Sequence, residues 1–260
     1  MTLTYSTYLQ LPELLELQHP RSTPPEHDEM LFIVIHQVFE LWFKLLLHET
    51  EKVERDFSGN DLYGAIATWK RLRTILKTLV GQLDILETMT PMSFASFRDR
   101  LDNASGFQSF QFREIEFAYG YKRAQVTGSI PEAEGQRVRA ERRLRTRSVV
   151  DHFYDFLKLR GLRVPEQLFA RDATLPTEPS EALQEELLRA YHAQPELVIL
   201  FELMTDFDEG FQEWRYRHIK LVERTIGAKR GTGGSPGVEF LKQSLWKPLF
   251  PDLWAIRHRM

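Results

Sequence analysis

Two histidines fall on apolar helical stripes, where an ionisable ring needs an explanation. His218 continues the series Phe207, Phe211, Trp214, His218, Leu221 and Val222 at three- and four-residue steps, and His36 continues Phe32, His36, Phe39 and Phe43. A buried imidazole must find partners for both ring nitrogens. One reading is a core histidine bonded to a neighbouring carbonyl. The other is an axial bond to a flat apolar cofactor lying between two aromatic-rich helices; haem leads here, because histidine alone can supply its axial bond. The spacing leaves both open.

Other metal chemistries can be tested by spacing. A di-iron bundle needs Glu-x-x-His on two helices, yet only Glu16 and His19 fit, with Pro20 directly after them. The zinc-protease pattern fails, since His48-Glu49 is not followed by a histidine at position 52. There is no cysteine, which removes disulfides, thiolate metal sites, iron–sulfur clusters and cysteine nucleophiles.

Two further polar features are candidates for ligand binding. Arg98 is either a surface ion-pair partner or, in an apolar pocket, a bidentate clamp for a carboxylate. The run Gly231-Thr232-Gly233-Gly234-Ser235 lacks the Gly-Lys-Ser/Thr close and the preceding strand of a phosphate loop. It reads either as a helix stop with a loop or as a loop closing over a charged ligand, with Thr232 and backbone N–H groups as donors.

The elements that must carry these residues are helical. Apolar periodicity predicts long helices over 27–56, 62–87 and 206–226, with shorter ones from Phe107 to Tyr119, through 149–157, and near 181–193 and 195–204. Thr90-Pro91 ends the second long helix, and 172–180 reads as a surface connection. No alternating strand and no internal repeat is found. The fold class expected is all-α: a bundle of long antiparallel helices around a cofactor pocket, as one domain over 1–260 with a small inserted excursion at about 122–150.

Composition narrows the partners. The 260 residues are 42% hydrophobic and 27% charged with a formal net charge of -3, so no overall field draws the chain to nucleic acid or anionic membranes. The basic run Arg137, Arg139, Arg142, Arg143, Arg145 and Arg147 lacks interleaved aromatics and reads as a solvated helix face or a subunit contact. The apolar run Met30–Ile35 is far short of a span, and no secretory pattern opens the sequence. The expectation is a soluble, cytoplasmic protein with no nucleic-acid or membrane partner.

Several stretches together resemble the tryptophan 2,3-dioxygenase family. They are Tyr5-Ser6-Thr7-Tyr8-Leu9; His27 to Ile33 with His36-Gln37 and Glu40-Leu41-Trp42; Ser105 to Ser109; and Trp214 to His218 leading into Lys229 to Ser235. The resemblance implies one haem b per subunit of a homotetramer that cleaves the indole C2–C3 bond of L-tryptophan with O2, giving N-formyl-L-kynurenine. By the same resemblance His218 is the iron ligand, His36 hydrogen-bonds the indole N–H, and Phe32 packs on the indole. Arg98 pairs with the carboxylate and Thr232 contacts the ammonium. Ser105 and Gly106 line the oxygen side of the haem, and Tyr5, Tyr8 and Leu9 reach into a neighbouring subunit's pocket. Phe94 departs from relatives that carry a tyrosine there, leaving Arg98 to do more of the carboxylate binding. A haem sensor without turnover, or an enzyme for a modified tryptophan, would share much of this pattern.

Overall fold

The computed structural model describes residues 2–131, 135–232 and 237–260. Along the chain lie α1 (Tyr5–Leu9), α2 (Leu11–Leu15), α3 (His27–Ser58), α4 (Leu62–Leu86), α5 (Pro91–Arg98), α6 (Phe110–Ala118), α7 (Gln136–Arg145), α8 (Val149–Leu159), α9 (Glu166–Phe169), α10 (Glu181–Ala193), α11 (Pro195–Ile226), α12 (Val238–Lys242) and α13 (Pro251–Ala255). The remaining elements are short 3-10 turns, and no strand occurs among the described residues. The chain is all-α.

Three long helices form the frame. A tight turn at Gly59–Asp61 folds α4 back along α3, and the Asp61 carboxylate caps α4 by accepting from the Gly64 N–H. Cross-contacts show the antiparallel register: Asp56 meets Thr68, and Glu49 meets Arg71. The third helix, α11, returns only after a long excursion and runs parallel to α4. Arg73 pairs with Asp206, Arg217 with Asp84 and Arg224 with Glu87, so both numberings climb together. It is therefore antiparallel to α3.

Two boundaries differ from the periodicity. Residues 195–226 form one helix rather than two, because the buried stripe of Phe201, Met204, Phe207 and Phe211 runs unbroken through Thr205, whose hydroxyl is satisfied by the Phe201 carbonyl. Thr90-Pro91 both ends α4 and starts α5: Thr90 accepts from the Ser93 N–H, and Pro91 sits where no amide donor is needed.

The core is aromatic. Trp69 of α4 is fully buried edge-on to Phe207 of α11 and to Phe250, with Tyr119 beside it; burying each such ring contributes about 1.5–3 kcal/mol. An 18-residue window of α3 has a mean hydropathy of 1.8, long and apolar enough for a membrane span. Its Phe39, Phe43, Leu46 and Val53 enter the protein core instead.

Residues 122–150 hold a 3-10 turn and α7, packed through a small apolar cluster of Phe117, Val126, Ile130, Ala140 and Leu144. Lys122 donates to the carbonyls of Arg143, Leu144 and Thr146, capping the end of α7. The basic run lies mostly on α7 and is largely used internally. Arg139 pairs with Glu114, Arg143 with Glu51 and Glu54, and Arg147 with Asp155.

Candidate active site

A cavity opens between α3 and α11 and is closed by α5, α6 and the segment after α11. Phe32, His36, Arg98, Ser105, Gly106, His218 and Thr232 all line it. Residues that are far apart in sequence thus share one space. Tyr5, Tyr8 and Leu9 do not: they are exposed on α1 and stand outside the cavity wall.

The two histidines have unlike surroundings. The His36 Nδ1 lies 2.7 Å from the Phe32 carbonyl, one turn earlier on α3. That oxygen can only accept, so Nδ1 carries the proton and Nε2 is left as a bare acceptor. Burial holds the His36 pKa below its usual value, against the opposing pull of the Phe32 carbonyl and Glu40. The imidazole is therefore neutral near pH 7, able to accept one hydrogen bond. The Phe32 ring lies 4.1 Å from it, tilted by 38°.

His218 has no hydrogen-bond partner for either ring nitrogen among the described residues. Its orientation comes from packing instead. Trp214, one turn earlier, stacks on it at 5.0 Å and 10°, and Phe39, Phe43 and Phe112 hold Trp214 in turn. Burial pushes the His218 imidazole down to about 4, and the charges of His36 and Arg113 add to the shift. This is a neutral, oriented imidazole with a free lone pair in an apolar cavity, which suits it to bind a metal.

The polar wall is built by α5 and the following turn. Phe94 and Phe97 pack on Phe32, which sets α5 against the His36 end of α3. Phe94 carries no hydroxyl, so Arg98 is the charged group of this wall. Arg98 donates to the Arg230 carbonyl at 2.7 Å, and Thr232 to the Ala104 carbonyl at 2.5 Å. These two bonds tie the segment after α11 to the one after α5. Gly237 brings the two ends of that segment together: its φ is +69°, and a Cβ there would lie 2.8 Å from the Lys229 carbonyl. Gly233, Gly234, Ser235 and Pro236 lie outside the described residues.

The residues present fit a haem. The donor set is one unpartnered neutral imidazole, and His, Cys or Carboxylate clusters that could hold a bare ion are absent among the described residues. The walls are aromatic and aliphatic, with Phe39, Phe43, Leu83, Leu86, Met89 and Leu221. Gly106 lines the cavity, and a Cβ there would meet no protein atom within 4 Å. Ser105 turns its hydroxyl to the Phe107 N–H and starts a 3-10 turn that holds this segment at the rim.

Sequence reasoning missed one part of the wall. Arg113, Glu116, Arg123 and Arg215 form a buried ionic cluster at the cavity edge. The signal available was charge on core-facing helical positions, Arg113 and Glu116 being one turn apart on α6. Nothing in the one-dimensional pattern brings Arg123 and Arg215 to them.

Comparison with known proteins gives the chain a family. The family model described as tryptophan 2,3-dioxygenase matches residues 1–133 and 162–260. The chain is 51% identical to the tryptophan 2,3-dioxygenase of Herpetosiphon aurantiacus, over 98% of this chain and 97% of that one. It is 48% identical to that of Anaeromyxobacter sp. strain K, over 98% and 95%, and 43% identical to that of Kineococcus radiotolerans, over 98% and 90%. The unmatched stretch, 134–161, carries α7 and α8, neither of which lines the cavity that holds the two histidines. With identity of this order along nearly the whole chain, it belongs to the tryptophan 2,3-dioxygenase family, haem-dependent enzymes that cleave tryptophan to N-formylkynurenine.

Proposed function

We propose that the cavity between α3 and α11 holds one haem b with His218 as its iron ligand, and that L-tryptophan binds on the His36 side. The observation that carries this is the contrast between the rings: His218 has both nitrogens free of protein partners, whereas His36 is fixed as a hydrogen-bond acceptor. The haem, when bound, supplies the iron at which O2 is activated. The rest of the task falls to the chain.

His36 accepts the indole N–H at Nε2, and Phe32 packs on the indole face. Arg98 releases the Arg230 carbonyl and turns its guanidinium to the substrate carboxylate, a charge-assisted pair stronger than the neutral bond it replaces. Thr232 receives the ammonium group with its hydroxyl oxygen. Ser105 and Gly106 keep the oxygen side of the cavity narrow but open. Fixing the ring and both charged ends holds the indole C2–C3 bond where O2 must attack.

The proposal extends to assembly and location. The whole chain acts as a single haem-binding unit in the cytoplasm, with the 122–150 excursion as an appendage. Tyr5, Tyr8 and Leu9, with exposures of 76%, 70% and 41%, reach into a neighbouring subunit's pocket in a homotetramer. Light scattering on the purified protein should give four times the chain mass; a monomer would overturn this extension.

The enzyme reading is tested by turnover. Purified protein should show a Soret band, and the ferrous form with tryptophan and O2 should produce N-formylkynurenine. Reduced haem protein that leaves tryptophan intact would overturn it.

A further inference from the structure

A second cavity, of about 440 Å³, lies between α3, α6, α7 and α8 and shares no lining residue with the first. Its walls carry opposite charges. Arg139, Arg142 and Arg143 stand on one face of α7, at three- and four-residue steps. Glu51 and Glu54 of α3 and Glu114 of α6 line the cavity with them. Apart from Leu47 the described lining residues are polar or charged, and none is Phe, Tyr or Trp. The arginines all belong to 134–161, the stretch outside the family match.

The two walls meet loosely. Arg139 reaches Glu114 at 3.2 Å, and Arg143 reaches Glu51 and Glu54 at 3.3 Å each. By contrast, Arg147 holds Asp155 at 2.8 Å and donates to the Asp151 carbonyl, so it is spent. Arg142 makes no hydrogen bond or ion pair among the described residues, although the field of its charge reaches Glu114. The end of α7 does not draw these arginines in either, because Lys122 already donates to the carbonyls of Arg143, Leu144 and Thr146. Burial holds the Glu54 and Glu114 carboxyls above their usual range, against the pull of Arg143 and Arg139. Both are therefore weak competitors for the guanidiniums, and a more fully ionised group can displace them.

We propose that this cavity binds a small phosphorylated sugar or polyol, with its phosphate on Arg139, Arg142 and Arg143 and its hydroxyls on Glu51 and Glu54. Three guanidiniums on one helix face suit a tetrahedral dianion, which offers paired oxygens to each planar fork. A lone carboxylate would occupy one fork and leave the others unused. The carboxylates of α3 can only accept, so they match hydroxyl donors and repel a second anionic end. A volume of this order holds a small metabolite rather than bare phosphate. With no aromatic ring from Phe, Tyr or Trp in the wall, nothing is offered on which a nucleobase could stack.

Calorimetric titration of the full-length protein with glucose 6-phosphate, inorganic phosphate and glucose tests this directly. The sugar phosphate should bind saturably at one site per chain, phosphate about 10-fold more weakly for lack of the hydroxyl contacts, and glucose not measurably. Arg142→Gln removes no internal pair and should weaken binding of the sugar phosphate by about 10-fold, the worth of one charge-assisted hydrogen bond. Glu51→Gln should act in the opposite sense on phosphate, tightening it several-fold while shrinking the advantage of the sugar ester. No saturable binding of glucose 6-phosphate at millimolar concentration would overturn the proposal, and needs no variant to fold. Equal affinity for phosphate and for its sugar ester would also overturn it, leaving only a bare anion site. So would an affinity unchanged in Arg142→Gln.

Discussion

The α3 and α11 sides of the cavity each present a histidine on an aromatic stripe, yet the two rings are held in opposite ways. On α3, a backbone carbonyl takes the His36 Nδ1 proton, and the neighbouring wall is polar, with Arg98 and Thr232 held by backbone carbonyls. On α11, His218 is held by ring stacking alone. Hydrogen bonding fixes a tautomer and leaves one acceptor for an N–H donor; stacking fixes direction and leaves a lone pair free for a metal. The difference teaches that the partner of a ring nitrogen, more than the residue type or its stripe, decides what a buried histidine can do.

Changes on the α3 side should therefore alter substrate handling and leave haem in place. The largest effect is expected from Arg98→Ala. Losing a charge-assisted pair should cost about 2–4 kcal/mol, a rise in KM of roughly 30- to 1,000-fold; an unchanged KM in steady-state kinetics would break the assignment. His36→Ala should lower kcat/KM by about 10-fold, the worth of one neutral hydrogen bond, with stoichiometric haem retained. Thr232→Val should raise KM by less, roughly 3- to 10-fold.

The smallest effect concerns pH and sharpens the tautomer argument. Burial depresses the His36 pKa, so its neutral form is present above the free imidazole's value of about 6.5 and persists below it. Protonation fills Nε2 and removes the acceptor. As pH falls from 8, kcat/KM should stay flat through 6.5 and decline only at lower pH, and His36→Ala should lack this limb. A limb centred above 6.5 in the unmodified enzyme would contradict a neutral, buried His36.

Much of this was legible in the sequence, for identifiable reasons. Apolar spacing placed α3 and α4 to within a few residues, found α11 only as two separate helices, and put both histidines on inward faces, because amphipathic periods report burial directly. It left the roles of His36 and His218 open, since a stripe shows which way a ring points but not which carbonyl lies beside it. Family resemblance assigned those roles, and the Phe32 carbonyl supplies a physical reason for them. The parallel pairing of α4 with α11 was not legible, because it depends on the path of the intervening hundred-odd residues. Nor was the Arg113–Glu116–Arg123–Arg215 cluster, which joins three separate stretches of chain through side-chain ends.

The unequal roles of the two histidines are the centre of this account, and haem content tests them most directly. His218→Ala and His36→Ala should be purified in parallel and their haem-to-protein ratios measured. The expected result is loss of haem from His218→Ala, with binding partly restored by added imidazole, and a full complement in His36→Ala. Stoichiometric haem in His218→Ala without imidazole, or loss of haem from His36→Ala alone, would contradict it.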